Sequence, residues 1–151
     1  MASTINASSS PTTGIITTAD SSGALTLQTN GTDALVLSAG KLVNPSITNY
    51  TETLYTANTG TAITVSLANG TVQQLTLTGN ATITMPTATA GKSFVIMLKQ
   101  DATGSRSVTW STVTWPSGTA PTITGTASKQ DIYSFFADGT NWYGGVIGQN
   151  F

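Results

Sequence analysis

The feature that most constrains the fold is a series of short apolar segments separated by turns that contain glycine and asparagine. Residues 63–67, 72–77 and 81–85 carry alternating or nearly alternating apolar side chains, which is typical of β-strands with one buried face. The links at 69–70 and 79–80 pair Asn with Gly, and such pairs supply the positive φ angles of tight hairpin turns. The sequence therefore predicts an antiparallel meander, and no segment shows helical periodicity.

The apolar segments continue toward the end of the chain. Residues 94–98 are apolar at every position, which favours a central strand covered on both faces. Further strands are predicted at residues 106–110, 113–115, 130–136 and 141–147, with Asp138-Gly139 as the last hairpin turn. Roughly eight strands after Pro45 are enough for an all-β, antiparallel β-sandwich of the jelly-roll kind.

Residues 1–45 form a separate polar region ahead of the β-sandwich domain at 46–151. Residues 1–13 offer few groups to bury, so they cannot offset their own ordering entropy, and we expect them to act as an assembly arm on another protein surface. Asn30-Gly31 predicts a hairpin with two leucines on each strand. Because an isolated hairpin is marginally stable in water, this one needs a partner.

Ionisable side chains are sparse in this chain of 151 residues. Five Lys and Arg against six Asp and Glu give a net charge of -1, and 7% of residues are charged, compared with about 25% in ordinary soluble domains. Cysteine and histidine are both absent, which excludes disulfides, thiolate metal sites and cysteine nucleophiles. We expect no nucleic-acid or membrane partner, because no basic field is present, and we expect no cofactor or metal.

The opening MASTINASSS lacks the basic and apolar regions of a secretory signal, and no uncharged apolar run approaches the length of a membrane span. We therefore expect a protein that is neither secreted by that route nor embedded in a membrane.

Three aspartates are the candidates for acid–base chemistry. Asp101, Asp131 and Asp138 fall near predicted strand ends, and a glycosidase-like pair such as Asp101 with Asp131 can be imagined. Aspartates in turns more often accept hydrogen bonds from backbone N–H groups, and Asp101 can also form a structural ion pair with Arg106. The structural interpretation is favoured, so we expect no enzymatic activity.

Large aromatic side chains provide the alternative of a carbohydrate-binding surface. At least two exposed rings on one face would favour it, among Trp110, Trp115, Tyr133, Trp142 and Tyr143. Packing or subunit contact is the preferred interpretation. The candidates for oligomer or partner contact are Leu25, Leu27, Leu35, Leu37, Trp115, Trp142, Tyr143 and Phe151.

Two sets of short sequence strings occur at the two ends of the chain. The first set is MASTINASSS at 1–10, TADSSG at 18–23 and LTLQTNGT at 25–32. The second set is LKQDATGSR at 98–106, TWPSGTAP at 114–121, NWYG at 141–144 and GQNF at 148–151. Both sets resemble a family of phage structural proteins that are described as tail-fibre-like or virion proteins.

That resemblance implies a virion protein on the surface of the phage particle, made in the host cytoplasm, with no catalytic residues to transfer. Fibre-like relatives are usually trimers, so a homotrimer is expected. No long repeated shaft or coiled-coil heptad is evident. The short chain therefore favours a capsid decoration or cement protein bound to the major capsid protein. The alternative is a tail-fibre or tail-adaptor protein involved in host attachment, with a glycan as a candidate ligand.

Overall fold

The computed structural model describes residues 46–151 and, before them, two short strands, β1 (Gln28–Thr29) and β2 (Thr32–Asp33). The chain divides into two compact units, Met1–Thr48 and Asn49–Phe151. The second unit contains almost all of the described residues, and the account of the fold and the site concerns that unit.

The described residues of the first unit are the strand pair β1–β2 and residues 46–48. β1 and β2 pair antiparallel with Thr29 opposite Thr32, at the place where the Asn-Gly pair predicts a hairpin. The predicted assembly arm at residues 1–13 lies outside the described residues, so its role stays a prediction. The same is true of the predicted contact residues Leu25, Leu27, Leu35 and Leu37.

The second unit consists of β-strands joined by turns. In chain order they are β3 (Leu54–Asn58), β4 (Ala62–Thr64), β5 (Val72–Leu77), β6 (Ala81–Thr84), β7 (Ser93–Gln100), β8 (Val108–Ser111), β9 (Val113–Thr114), β10 (Gln130–Ala137) and β11 (Trp142–Gly148). Two single turns of 3₁₀ helix, Leu67–Asn69 and Pro116–Gly118, interrupt them. The predicted all-β class is confirmed.

Within the described part of the chain, no helix is long and apolar enough to cross a membrane.

The strands form two sheets that are connected as a coil. The larger sheet has the order β3-β5-β7-β10-β11-β9, and the smaller sheet has the order β4-β6-β8. The chain passes from the larger to the smaller sheet at β3–β4, again at β5–β6 and again at β7–β8. From β3 to β8 each return to a sheet follows a strand in the other sheet, so β3, β5 and β7 are parallel to one another, and so are β4, β6 and β8.

This connectivity corrects the predicted antiparallel jelly-roll order. Among the described strands of the second unit, antiparallel pairing joins β10 to β7 and to β11, and the Asp138-Gly139 turn closes the last hairpin as predicted. The other pairs are parallel. Gly79 lies in the connection from β5 to β6, which carries the chain from the larger to the smaller sheet, and an added Cβ there would be 3.1 Å from the Gly60 carbonyl oxygen. A glycine turn alone does not distinguish such a connection from a hairpin.

One hydrophobic core receives side chains from both sheets. Ile96 and Tyr133 of the larger sheet and Ile83 of the smaller sheet are fully buried in it. The rings of Phe94 and Phe135 stack with their centroids 4.9 Å apart. β7 lies between β5 and β10, so its predicted central position is confirmed, but Val95 and Met97 are only half-buried, so the strand is not fully covered on both faces.

Candidate functional site

Asp101 organises the turn that follows β7. Its Oδ1 accepts hydrogen bonds from the N–H groups of Thr103 at 3.0 Å and Gly104 at 2.9 Å. Its Oδ2 accepts two from the Arg106 guanidinium, at 2.9 and 3.1 Å. The Arg106 hydrogen bonds are the main reason that the pKa of Asp101 lies below its ordinary value. The predicted structural ion pair is therefore confirmed.

Asp131 is a buried carboxylate near the start of β10, only 2% exposed. Its Oδ2 accepts hydrogen bonds from the Thr124 N–H at 2.7 Å and the Tyr133 hydroxyl at 3.0 Å. The segment after β11 adds the Gln149 amide at 3.1 Å and the Asn150 N–H at 2.9 Å. Burial raises the pKa of Asp131, but the hydrogen bonds lower it by more, so the pKa lies below its ordinary value.

Asp138 caps the turn between β10 and β11. Its Oδ1 accepts hydrogen bonds from the N–H groups of Thr140 and Asn141, both at 2.7 Å. Its Oδ2 accepts one from the Tyr143 hydroxyl at 2.9 Å. The backbone hydrogen bonds, that from Asn141 first, lower the pKa of Asp138 to about 2. This carboxyl group is therefore ionised at neutral pH and holds the turn.

The three aspartates are not arranged as an acid–base pair. A glycosidase needs one carboxyl group with a raised pKa, whereas the pKa values of Asp101, Asp131 and Asp138 are all lowered. Their oxygens are also occupied by structural hydrogen bonds. The glycosidase alternative thus loses its candidate pair, and the expected lack of enzymatic activity stays a prediction. Among the residues that the structure describes, no cluster of metal-ligating side chains occurs.

Most of the predicted aromatic candidates lie in the core. Trp115 and Trp142 are 7% and 2% exposed, and Tyr133 is fully buried. The Trp142 indole donates a hydrogen bond to the Pro86 carbonyl at 2.7 Å. The Trp115 ring lies so close to Gly144 that an added Cβ would be 2.6 Å from a ring carbon. These rings stabilise the fold and cannot form a glycan-binding face.

Tyr143 and Phe151 are the predicted contact residues that the structure places at the surface, with 44% and 61% of their area exposed. The Phe151 ring lies over Gly148, where an added Cβ would be 2.5 Å from it. Val146 and Ile147 are close by in sequence and are 46% and 59% exposed. We call Val146, Ile147 and Phe151 the β11 patch. The role of these residues in partner contact stays a prediction.

The outer face of the larger sheet carries an exposed ring that sequence reasoning missed. Phe135 points into the core, so alternation along β10 points Phe136 outward, where it is 59% exposed. The strand register places Phe136 opposite Ser93 of β7 and Tyr143 of β11. The two adjacent phenylalanines look like one apolar run, but strict alternation along residues 130–137 would have identified the outward ring.

A groove runs from Phe136 on this outer face toward the segments that precede β3 and β5. A first depression, of about 320 Å³, has the polar lining residues Glu52, Thr71, Ser93 and Ser134 beside Phe136. A second depression, of about 500 Å³, shares Glu52 and Thr71 and continues to Asn69. The Thr71 hydroxyl donates a hydrogen bond to the Glu52 carboxylate. We call the two depressions together the Phe136–Glu52 groove.

A comparison with protein families identifies the described domain. The family model described as "Putative phage tail fibre C-terminal domain" matches residues 51–142, which is more than half of the chain. No curated protein and no solved structure matches. The predicted resemblance to phage structural proteins is confirmed. The chain therefore belongs to this family of phage tail fibre C-terminal domains, and it is a tail-fibre-like component of a phage virion.

Proposed function

We propose that the chain is a tail-fibre or tail-adaptor component that takes part in attaching the phage to its host. The match of residues 51–142 to a tail fibre C-terminal domain is the observation that carries this proposal. It favours the tail over the capsid decoration or cement role, although no long shaft is evident in the sequence.

The arrangement of the described domain supports a role in contact. Most of its aromatic side chains are buried in or packed against one core. Phe136 and the residues of the β11 patch are exposed. Binding groups that are held on a rigid scaffold lose little conformational freedom when they meet a partner. Such a role also requires that the domain be exposed on the surface of the particle.

We also propose that the protein is a homotrimer that associates through the β11 patch. Val146, Ile147 and Phe151 are apolar side chains that are 46%, 59% and 61% exposed at one end of β11 and beyond it, and large exposed apolar side chains are candidates for protein–protein contact. Symmetric copies would present several identical binding surfaces at once, so weak contacts with a host surface add up through effective concentration.

Competition for adsorption tests the attachment role. Host cells that are first incubated with purified full-length protein should adsorb phage more slowly, because the protein occupies the sites that the particle uses. The same protein after heat unfolding is the control and should have no effect. Unchanged adsorption at saturating protein would contradict the attachment role and would return capsid decoration to first place.

A further inference from the structure

The Phe136–Glu52 groove combines an apolar ring with polar oxygens. Phe136 lies in the first depression, and the Glu52 carboxylate, with the Thr71 hydroxyl bonded to it, lies where the two depressions meet. Ser134 lines the first depression, and Asn69 lines the second. A bound molecule would therefore meet a ring face, hydroxyl groups, a carboxylate and an amide.

Phe136 is not needed to complete the core. Its neighbour Phe135 is fully buried and stacks on Phe94, so the core at this position is already filled. Phe136 instead leaves 59% of its area exposed beside polar groups. An aromatic ring in that position offers a flat apolar face on which a ligand can stack.

The charge in the groove restricts the kind of ligand. Among the described residues that line the two depressions, Glu52 is the one ionisable side chain. Its charge repels an anionic ligand, whereas ligand hydroxyl groups can donate strong, charge-assisted hydrogen bonds to it. An uncharged ligand that is rich in hydroxyl groups suits this chemistry.

The dimensions of the groove suit a chain of small units. The two depressions, of about 320 and about 500 Å³, are open to the surface, so a ligand would lie along them and would not be enclosed. The depressions share Glu52 and Thr71, so one ligand can extend through both.

From these observations we propose that the Phe136–Glu52 groove binds a neutral saccharide chain. One sugar ring stacks its C–H face on Phe136, and sugar hydroxyls donate to Glu52 and exchange hydrogen bonds with Ser134 and Asn69. This inference rests on the proposed attachment role, because it names the class of host-surface molecule that the domain would contact.

An NMR titration of the ¹⁵N-labelled full-length protein tests the inference. The probes are neutral oligosaccharides built from hexoses, N-acetylhexosamines and deoxyhexoses, with sialyllactose as the anionic control. At least one neutral probe should shift the backbone amide signals of Glu52, Thr71, Ser134 and Phe136. Sialyllactose should leave those signals unchanged.

Substitutions separate ring stacking from general apolar contact. Phe136→Leu keeps an apolar side chain but removes the ring face, so saccharide affinity should fall about tenfold, whereas Phe136→Trp should retain it. Glu52→Gln should weaken binding about fivefold, because a neutral amide replaces the carboxylate. Ile47→Ala is the matched control, since Ile47 is also 59% exposed but does not line the groove, and affinity should not change.

Three results would overturn the inference. They are a panel in which no neutral probe shifts these signals, a Phe136→Leu variant that binds as tightly as the wild type, and signal shifts on dilution without saccharide. Signal shifts on dilution would identify a second copy of the chain as the molecule that occupies the groove.

The titration and the adsorption experiment can fail separately. The titration uses no phage particles, so its failure would leave the attachment role standing, and unchanged adsorption would leave the saccharide-binding result standing.

Discussion

Asp131 shows how one buried charge can order a segment in a chain with few charges. Four donors surround its carboxylate, and two of them, from Gln149 and Asn150, belong to the segment after β11. A buried carboxylate without donors would be strongly destabilising. The same hydrogen bonds that keep Asp131 ionised therefore hold residues 149–150 against the core.

Replacing Asp131 with asparagine should destabilise the fold by about 2–3 kcal/mol, because the amide group presents a donor to groups that are themselves donors. Urea unfolding followed by tryptophan fluorescence measures the change. Asp138→Asn is the matched control at an exposed turn and should cost clearly less. Equal losses for the two variants would contradict the role assigned to the buried carboxylate.

Stability should also fall in acid over a defined range. The folded-state pKa of Asp131 lies below its ordinary value, and that of Asp138 is lowered from 3.8 to about 2. A carboxylate with a lowered folded pKa stabilises the fold above its unfolded pKa, and this contribution is lost as the pH falls through the folded pKa.

Urea midpoints should thus be nearly constant between pH 7 and about 5 and should decrease steadily toward pH 2. Asp138→Asn should show a shallower decrease, because it lacks one of the three aspartates, Asp101, Asp131 and Asp138, whose folded-state pKa is lowered. A wild-type midpoint at pH 2 equal to that at pH 7 would refute this explanation.

At the scale of elements, the coil depends on backbone contacts between its successive turns. The N–H of Thr59 donates to the carbonyl of Thr76 at 2.9 Å, and the N–H of Val65 donates to the carbonyl of Thr84 at 2.9 Å. These bonds join segments that belong to successive turns of the coil. They extend the parallel strand pairs into the corners, so strands and corners stack together.

The positions of most strands could be predicted from the sequence, but their partners could not. Short apolar segments bounded by turn residues identify β5, β6, β7, β10 and β11, because such a segment is a local property of each strand. The direction of pairing depends on whether a glycine turn reverses the chain within a sheet or carries it to the other sheet. That difference depends on contacts with segments elsewhere in the chain, which a local pattern does not contain.

Gln73 shows a similar limit. Two adjacent glutamines interrupt the apolar alternation and favour a bulge, yet β5 alternates regularly and the Gln73 side chain is buried, with 1% exposed. Its amide donates to the carbonyls of Ser66 and Gly70, each at 2.8 Å. Those acceptors are backbone groups of the preceding turn, which leave no signal in the sequence.

The candidate site was the least predictable part. The turn roles of Asp101 and Asp138 follow from residue type and local position, so the sequence indicates them. The groove brings together Glu52, Thr71 and Phe136, which are far apart in sequence and meet because β3, β5, β7 and β10 are neighbours in the larger sheet. Without the strand order, nothing in the sequence links them.

A disulfide test can check the parallel register directly, because the native chain contains no cysteine. Gln74 lies opposite Met97 in the parallel β5–β7 pair. The double variant Gln74→Cys with Met97→Cys should form a disulfide under mild oxidation, because directly opposed residues lie within the distance that a disulfide spans.

The matched control joins Gln74→Cys with Ser93→Cys, which is displaced along β7 by about 13 Å at roughly 3.3 Å per residue. It should form no disulfide. Cross-linking of the control and not of the test pair, read by mass spectrometry after proteolysis, would contradict the register.

At the scale of the whole molecule, the chain is a nearly uncharged β-structure that works with other structural proteins of the phage particle. Because 7% of its residues are charged, the chain can form few ion pairs with a binding partner. Apolar burial and uncharged hydrogen bonds therefore provide the affinity, and binding should depend only weakly on salt.

The proposed homotrimer can be tested at the β11 patch. Ile147→Asp places a charge in the patch, so light scattering after size exclusion should show a shift from trimer toward monomer, because burying an unpaired charge is costly. Ile47→Asp is the matched control, since Ile47 and Ile147 are both 59% exposed. A wild-type monomer, or the same shift for both variants, would contradict the assignment.

The location of the protein on the particle tests the central claim most directly. Electron microscopy of intact phage labelled with a gold-conjugated antibody against this chain should show gold at the tail. Gold distributed over the capsid, with none on the tail, would contradict a tail-fibre component and would support a decoration protein.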